Sequence, residues 1–423
     1  MKNSHIANDY AHEQVPKAQR RTWLSLFAIW TASIICVPVF LMSVQMAEVL
    51  TIQNIIFISL CAGLIYTSIA YLLGPICQKT RLPTGQIARM AFGSTAGKVV
   101  AFIISFNLFG WFGIQLEFFA SGLNIAIQDT IGVFVHSWIL ILFGGFLMIL
   151  TSTIGYKALE KLSYITIPLM LLILIWPFVY GSAGEHWESI VFINIQASDS
   201  VGTMLGVYIG AFSAGLAISP DLFRYMKNSK HGTLGIATSF LVAAPFVFFI
   251  MAYFHKMTGH NNVIDIFFAL GLGVSALILV MLSAWTTNDS NLYAASLGLS
   301  SIFSKVKKWK ISIISGLLGI GLALFGILSN FMEFLTYLGI IMLPITAVFI
   351  TDFFFSPQCY TSKADKHIPY RFINIASLLV GILVGLSSGV LNYWALTTVA
   401  PIDGFISTFL CVCILNKFHK KEA

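Results

Sequence analysis

The feature that most constrains this chain is a succession of apolar runs, each long enough to cross a lipid bilayer. About twelve such runs follow one another along the 423 residues, and a helix needs about 20 apolar residues to span the hydrocarbon layer. Charged residues make up only 10% of the chain, whereas a soluble domain carries roughly a quarter. The sequence therefore predicts an all-α membrane protein with about twelve transmembrane helices, numbered here as spans 1 to 12.

Positive charges alternate with these runs. Of the 24 Lys and Arg residues, 23 fall in the tails and in every second loop, and Lys256 alone falls on the opposite side. Because cytoplasmic loops are enriched in Lys and Arg, we expect a multi-pass protein of the cell inner membrane with both termini in the cytoplasm. The net charge of +7 then reflects topology, and no nucleic-acid partner is expected.

The spacing of the spans also predicts an internal organisation. If spans 1–5 and 6–10 form two structural repeats, the odd number of helices inverts the second repeat relative to the first, as in many secondary transporters. The predicted parts are an N-terminal cytoplasmic tail (1–22), a first five-helix repeat (23–181), an inverted second repeat (200–355), two further transmembrane helices (371–416) and a C-terminal cytoplasmic tail (417–423).

Catalytic signatures are missing from the sequence. No HExxH, GxSxG, P-loop or CxxC motif occurs in a usable context. The six Cys lie mostly within apolar runs, which is typical of small buried hydrophobic residues. We therefore expect neither an enzyme nor a resident cofactor.

Spans 1 and 6 contain residues that disturb helices near the middle of the bilayer. Pro38 in span 1 removes a backbone donor, and the carbonyls it frees could coordinate a cation, although a simple kink is the alternative. In span 6, the glycine-rich segment 210–215 surrounds Phe212. This segment could unwind and offer backbone groups to a ligand, or it could serve close helix packing.

Spans 3 and 8 contribute polar side chains at a similar depth. Trp111 and Gln115 are four residues apart and so share one helix face, which combines a stacking surface with an amide. In span 8, Ser283, Thr286 and Thr287 also share a face. Their hydroxyl oxygens suit an alkali cation, although hydroxyls in helices often bond back to the preceding turn.

Asp289 is a rare acid within a predicted span. An ionisable group inside the membrane is by default a functional candidate. This residue keeps a proton open as an alternative to sodium as the coupling ion.

Four segments carry a resemblance to a known family over almost the whole chain. They are RLPTGQIARMAFG (81–93), FGWFGIQ (109–115), GAFSAGLAISPDLFRYMKNSK (210–230) and WTTNDSNLYAASLGL (285–299). With them the sequence resembles the nucleobase–cation-symport-1 family, and within it the cytosine-permease branch. The resemblance implies a leucine-transporter-like fold of the APC superfamily, with a 5+5 inverted repeat plus two C-terminal helices. It also implies alternating access around a pocket between spans 1, 3, 6 and 8.

The resemblance further implies roles for individual residues. Trp111 would stack on a base, Phe212 would close its other face with Ser213 nearby, Asn288 would bond the ring edge, and Gln115 matches the hydantoin and allantoin carriers. In sodium-coupled members of the family an ion lies between broken span 1 and span 8. The corresponding residues here are Ala32 and Ile35, through their backbone, with Ser283, Thr286 and Thr287.

Two positions depart from the cytosine pattern, because Leu108 and Ala214 replace a Gln and a Ser. We expect a protein that lies in membrane lipid and imports a nucleobase-like small molecule, and a cytosine-like pyrimidine is the first candidate. Import would be coupled to a cation, with sodium preferred over protons. The alternatives are a proton-coupled carrier of a hydroxymethylpyrimidine, purine, allantoin or hydantoin, a non-transporting receptor, and a channel.

Overall fold

A computed structural model describes residues 10–179, 188, 201–360, 368–391, 393–397 and 399–422. Within these ranges the regular elements are helices, apart from one isolated parallel bridge between Arg21 and Met226. Residues 1–9 of the predicted tail and the predicted boundaries at 181 and 200 lie outside the described residues.

The first half of the chain forms seven helices before residue 180. They are α1 (Trp23–Ile34), α2 (Val37–Val49), α3 (Ile52–Thr80), α4 (Thr84–Phe92), α5 (Ala96–Ile131), α6 (Ser137–Ser152) and α7 (Tyr156–Val179). α4 is short and amphipathic, and it connects spans 2 and 3. The others correspond to spans 1 to 5, with α1 and α2 together forming span 1.

The second half repeats this use of long helices with short connectors. Its helices are α8 (Val201–Ala217), α9 (Ser219–Phe223), α10 (Ser229–Thr258), α11 (Val263–Ala269), α12 (Val274–Ile302), α13 (Lys308–Leu324), α14 (Phe331–Phe355), α15 (Phe372–Gly389) and α16 (Ala400–Glu422). α16 continues through most of the segment predicted as a C-terminal tail. α9 and α11 are connectors, and α10 contains one π-helical turn at Ser239–Ala243.

The helices have the length and composition of a membrane protein. Among the described residues, seven are long and apolar enough to cross a bilayer, and the bent pair α1–α2 makes an eighth. α6 and α8 are shorter apolar helices, and α12 and α13 complete the predicted order. Large apolar side chains such as Phe57, Leu64 and Leu172 point outward from the bundle. The prediction of an all-helical, multi-span fold is confirmed.

Span 1 is broken where the sequence predicts it. α1 ends at Ile34, α2 begins at Val37, and their axes differ by 59°. In a continuous helix the N–H of Pro38 would bond the carbonyl of Ile34, but proline has no N–H and its ring clashes there. The Ile34 carbonyl instead accepts the N–H of Cys36 at 2.9 Å.

Span 6 is broken at a different place from the glycine-rich segment. α8 is helical throughout 210–215, and the chain leaves the helix only at Ile218, before Pro220. The glycines serve packing instead. A Cβ on Gly210 would lie 2.5 Å from the Leu335 carbonyl oxygen, and one on Gly215 would lie 2.2 Å from the Trp30 ring. Of the two alternatives for this segment, close helix packing is therefore the one observed, and the segment does not unwind.

Lys256, the exception to the charge pattern, has a local structural role. Its Nζ donates to the Ala47 carbonyl at 2.8 Å, near the C-terminal end of α2. Carbonyls at a helix C-terminus lack intrahelical donors and carry partial negative charge. A cation is therefore stabilised here by the end of a helix.

Candidate functional site

A narrow cavity of ≈ 80 Å³ lies between α1, α5, α8 and α12, beside the break in span 1. These are the helices of spans 1, 3, 6 and 8, which carry the unusual residues in the sequence. Its lining consists of Ile29, Trp30, Ser33, Cys36, Val39, Leu108, Trp111, Gln115, Ala211, Phe212, Ala214, Gly215, Ile218, Leu222, Thr287, Ser290 and Asn291.

α5 contributes one face to this lining. Leu108, Trp111 and Gln115 follow one another at intervals of three and four residues, which places them along one side of a helix. The Trp111 ring packs edge-on against Phe331 at 6.1 Å and Phe334 at 5.7 Å, measured between ring centroids. These contacts fix the orientation of the indole at the cavity wall.

α8 places Phe212 in the lining but not Ser213. The Phe212 ring packs edge-on against Tyr66 and Phe240, with centroids 6.2 and 5.1 Å away. Consecutive residues of an α-helix point about 100° apart. The hydroxyl of Ser213 accordingly lies away from the cavity and donates to the Gly210 carbonyl at 2.7 Å.

α12 lines the cavity with Thr287, Ser290 and Asn291, and not with Asn288. The Nδ2 of Asn288 donates to the Phe112 carbonyl at 3.0 Å and lies 3.2 Å from Met148 Sδ. Asn288 therefore joins α12 to α5 and α6. The structure does not bring Ser213 or Asn288 to the cavity, although it brings Trp111, Gln115 and Phe212 there.

Several buried polar atoms around the cavity have no hydrogen-bond partner among the described residues. They are Nε1 of Trp30, both Oε1 and Nε2 of Gln115, and Nδ2 of Asn291. A buried polar group without a partner costs about 1–3 kcal/mol. Three such side chains around one space indicate a ligand that supplies the missing partners.

The predicted cation ligands come from α1, from the break that follows it, and from α12. Hydrogen bonds at the break engage the carbonyls of Thr31, Ile34 and Cys36, and the carbonyls of Ala32 and Ile35 accept none of these bonds. Thr287 lines the cavity beside Cys36.

The three hydroxyls of the predicted cation site bond back to their own helix. Ser283 donates to the Val280 carbonyl at 2.9 Å, and Thr287 donates to the Ser283 carbonyl at 2.9 Å. Thr286 donates to the Leu282 carbonyl at 3.0 Å. A hydroxyl that donates its proton keeps lone pairs that can accept from a cation. The back-bonding alternative is therefore observed, and it is compatible with an oxygen site.

Asp289 lies on a different face of α12 and is absent from the cavity lining. Its Oδ1 accepts the Thr151 hydroxyl at 2.6 Å, and the same hydroxyl lies 3.0 Å from the Trp285 Nε1. The carboxyl group is thus part of the contact between α12 and α6.

Trp30, Ser290 and Asn291 belong to the lining but are missed by the sequence reasoning. The signal for two of them is helical periodicity, because Ser290 and Asn291 lie three and four residues after Thr287 and continue its face. Trp30 has a weaker signal, since a tryptophan in a membrane helix usually indicates packing or an interface.

A wide opening lies above the cavity, on the side opposite the basic loops. This vestibule has a volume of ≈ 600 Å³, and its lining includes Gln45, Ser121, Asn262, Phe331 and Glu333. Phe331 also contacts Trp111 in the cavity wall. The Phe331 ring therefore borders the vestibule and also contacts a residue of the cavity wall.

The opposite side is closed by a hydrogen-bonded network that we call the seal, formed by Arg21, Arg81, Asp221 and the turn Arg224–Lys227 with their partners. Arg81 caps α3 in the left-handed region, with φ +55°. Its guanidinium donates to the carbonyls of Arg224 at 3.3 Å and Lys227 at 3.1 Å, and also to that of Met226. One side chain thus contacts three carbonyls of this turn.

Arg21 and Asp221 complete the seal. Arg21 forms an ion pair with Glu160 at 3.0 Å, and its N–H donates to the Tyr225 carbonyl at 2.6 Å. Asp221 accepts the N–H of Thr84 at 2.8 Å. Burial raises the pKa of Asp221 to about 6, against the opposing effect of the Arg224 charge.

A cavity enclosed by four membrane helices, with a vestibule on one side and a seal on the other, defines a multi-pass membrane transporter. Residues 14–409 match the family described as permeases for cytosine/purines, uracil, thiamine and allantoin. The chain therefore belongs to this family, and it is a transporter and not an enzyme.

Known relatives and solved structures agree with this assignment. The cytosine permease of Escherichia coli strain K12 is 28% identical over 362 residues, which cover 85% of this chain and 81% of that protein. Mhp1, a nucleobase–cation-symport-1 family transporter in a closed conformation with bromovinylhydantoin bound, has a TM-score of 0.82 at 17% identity. That alignment covers 97% of this chain and 96% of Mhp1.

A more distant fold neighbour is a sodium-coupled sialic acid symporter. Its TM-score is 0.67 at 15% identity, over 99% of this chain and 93% of that one. The leucine-transporter-like fold class predicted from the sequence is confirmed.

Proposed function

We propose that this protein imports a nucleobase or related flat heterocycle across the cell inner membrane by cation symport. A cytosine-like pyrimidine is the first candidate solute, and sodium is the first candidate ion. The observation that carries the proposal is the cavity, in which Trp111 and Phe212 lie beside amide atoms of Gln115 and Asn291 that have no hydrogen-bond partner among the described residues. Both termini lie in the cytoplasm in this proposal, in accordance with the positive-inside rule.

The shape and chemistry of the cavity suit a flat ring. A volume of ≈ 80 Å³ leaves little room for bulky solutes. Aromatic side chains bind heterocycles through their faces, while Gln115 and Asn291 provide the amide groups that recognise polar edges. The relative from Escherichia coli is a cytosine permease, which supports a pyrimidine as the first solute to test.

The difference between the two sides of the cavity, with a vestibule on one and the seal on the other, supports a mechanism of alternating access. In this proposal the vestibule faces the outside, and the seal lies on the cytoplasmic side with the basic loops. A solute would enter past Phe331, and the seal would open to release it. The coupling ion acts by binding one of these conformations more tightly than the other.

Sodium is favoured by the chemistry at the break in span 1. The C-terminal end of α1 carries partial negative charge, and unwound backbone with hydroxyl oxygens is the usual setting for sodium in such carriers. Ala32, Ile35, Ser283, Thr286 and Thr287 remain the proposed ligands. Coupling to a proton is the alternative, because Asp289 is the acid nearest to this region in the sequence.

The decisive test is uptake by purified protein in liposomes, with labelled cytosine, uracil, hypoxanthine and allantoin. An inward sodium gradient at constant pH should drive saturable uptake of at least one of these compounds. A pH gradient without sodium serves as the comparison. Equal uptake in the absence of sodium would refute sodium coupling, and no uptake of any compound would refute the proposal as a whole.

We expect Trp111→Ala to abolish measurable uptake. Stacking of a base on an aromatic side chain is worth about 1–3 kcal/mol, and the mutation also opens the wall to the vestibule. Trp111→Phe should retain partial uptake because it keeps an aromatic face. Trp138→Ala, at an exposed tryptophan on α6, is the matched control and should transport normally, whereas normal uptake by Trp111→Ala would show that the pocket is misplaced.

A purine, hydroxymethylpyrimidine, allantoin or hydantoin is the second candidate solute. Leu108 and Ala214, the departures from the cytosine pattern, both line the cavity, so they would directly alter which ring edges are accepted. A site that lacks a hydrogen-bond partner discriminates differently by orders of magnitude. Competition among these compounds for uptake of the best substrate ranks the candidates.

A further inference from the structure

Trp30 occupies an unusual position for a tryptophan in a membrane helix. It lies in the last two turns of α1, and only 5% of its surface is exposed. The ring packs edge-on against Phe240, with centroids 5.2 Å apart, and fits closely over Gly215. Its position is therefore set by two neighbouring helices.

The indole nitrogen of this residue has no partner among the described residues, although the residue lines the cavity. An indole N–H is a donor only, so it can be satisfied only by an acceptor. A residue that served packing alone could be phenylalanine, which would avoid the cost of about 1–3 kcal/mol for a buried donor without a partner. The nitrogen thus indicates an acceptor that enters the cavity.

We propose that Trp30 Nε1 donates a hydrogen bond to an acceptor atom on the edge of the transported ring. Trp30 would then be a specificity-determining residue that selects rings with a carbonyl oxygen or an unprotonated ring nitrogen at that edge. This inference rests on the proposed function, since it assumes that a heterocycle occupies this cavity.

The other polar groups of the cavity make the selection sharper. Nδ2 of Asn291 is a second donor without a partner in the described part of the chain, and Gln115 offers both a donor and an acceptor. Two donors on different helices, α1 and α12, require two acceptor atoms on the solute. Pyrimidines with a ring nitrogen beside a carbonyl present such a pair.

The test combines a variant with analogues that differ in a single acceptor. Cytosine offers O2 and N3 as ring-edge acceptors; 2-thiocytosine weakens the first and 3-deazacytosine removes the second. Binding or transport is measured for wild type and Trp30→Phe, which keeps the aromatic packing and removes the N–H. If another member of the uptake panel is the preferred solute, it is compared with its own thio and deaza analogues.

We expect Trp30→Phe to raise the KM of the parent base about tenfold, the effect of losing one hydrogen bond of about 1.4 kcal/mol. One of the two analogues should already bind weakly to wild type and should be unaffected by the mutation. The other analogue should lose affinity in the variant as the parent does. This pattern would identify the acceptor that Trp30 contacts.

The matched control is Trp285→Phe. It also removes an indole N–H from a membrane helix, but that group lies against Thr151 and outside the cavity lining, so selectivity should not change. Equal KM values in wild type and Trp30→Phe, or an equal loss for the parent and both analogues, would overturn the inference while the proposed function stands. Wild-type protein that binds both analogues as tightly as the parent would overturn it without any variant. No binding of any panel compound by wild type would refute the proposed function and this inference together.

Discussion

Gly215 shows how the absence of one side chain determines the position of another. It lies on α8 directly against the Trp30 ring, where a Cβ would come within 2.2 Å of the nearest ring carbon. Since real atoms do not approach so closely, any larger residue must displace the indole. The small residue therefore fixes the depth at which Trp30 stands in the cavity wall.

We expect Gly215→Ala to reduce uptake at least tenfold while the protein remains folded. Overpacking of this kind usually costs about 1–3 kcal/mol, and here the displaced ring borders the cavity. Gly206→Ala is the matched control on the same helix, because its Cβ would meet no atom closer than 3.8 Å. Uptake rates and thermal unfolding midpoints of both variants check this, and wild-type uptake by Gly215→Ala would contradict it.

The candidate site was only partly predictable at the level of single residues. Pattern alone indicated Trp111 and Gln115, since residues four apart share a face. Phe212 and Ser213 are adjacent, so a single face of a helix could not include both. On α12, Asn288 follows from the resemblance, whereas the periodicity after Thr287 indicates Asn291. The sequence does not show which helices contact one another. The position of Trp30 at the cavity is therefore visible only in the structure.

At the scale of elements, the turn between α9 and α10 depends on a residue from another helix. Arg81 ends α3 in a conformation that non-glycine residues rarely adopt, with φ +55°. Its guanidinium then reaches the carbonyls of Arg224, Met226 and Lys227. Because the acceptors are backbone atoms, this part of the seal depends on the arginine and not on the identity of the side chains in the turn.

We expect Arg81→Gly to loosen the seal without distorting α3, since glycine adopts positive φ readily. The native thiol of Cys36 in the cavity wall should react several-fold faster with an impermeant maleimide applied from the cytoplasmic side. The labelling rate of Cys36 is obtained by subtracting the rate measured for the same variant that also carries Cys36→Ser. Lys79→Ala is the control, because Lys79 donates to the Pro357 carbonyl and not to this turn. Unchanged labelling of Cys36 would show that Arg81 does not hold the seal.

The sequence predicts the helices well, but it predicts the break in span 1 better than the break in span 6. Pro38 lacks a donor wherever it stands, so the break in span 1 follows from the sequence. The glycines of span 6 have no such obligatory effect, and their outcome depends on neighbours. In this structure they let Trp30 and Leu335 approach α8 closely, and the helix continues until Ile218.

At the scale of the whole molecule, the solute cavity and the proposed cation site share one residue. Thr287 lines the cavity, and its hydroxyl belongs to the proposed oxygen site beside the broken helix. Ligands that bind such adjacent sites influence each other reciprocally. Coupling between ion and solute would therefore pass through α12.

We expect Thr287→Ala to raise the sodium concentration needed for half-maximal uptake at least fivefold, with little change in thermal stability without sodium. Thr287→Ser keeps the hydroxyl and is the matched control. Uptake as a function of sodium at fixed pH measures the effect. A sodium dependence identical to wild type would exclude this hydroxyl from the cation site.

Among the described residues, the two sides of the cavity differ in the contacts that close them. Toward the vestibule, the rings of Phe331 and Phe334 pack edge-on against Trp111, whereas several hydrogen bonds and an ion pair must be broken on the other side. If the protein imports its solute as proposed, the side with fewer bonds to break would open more readily, and the empty carrier would expose its cavity mainly through the vestibule. Loss of solute already inside the cell would then be slow, because exit through the carrier would first require the seal to open.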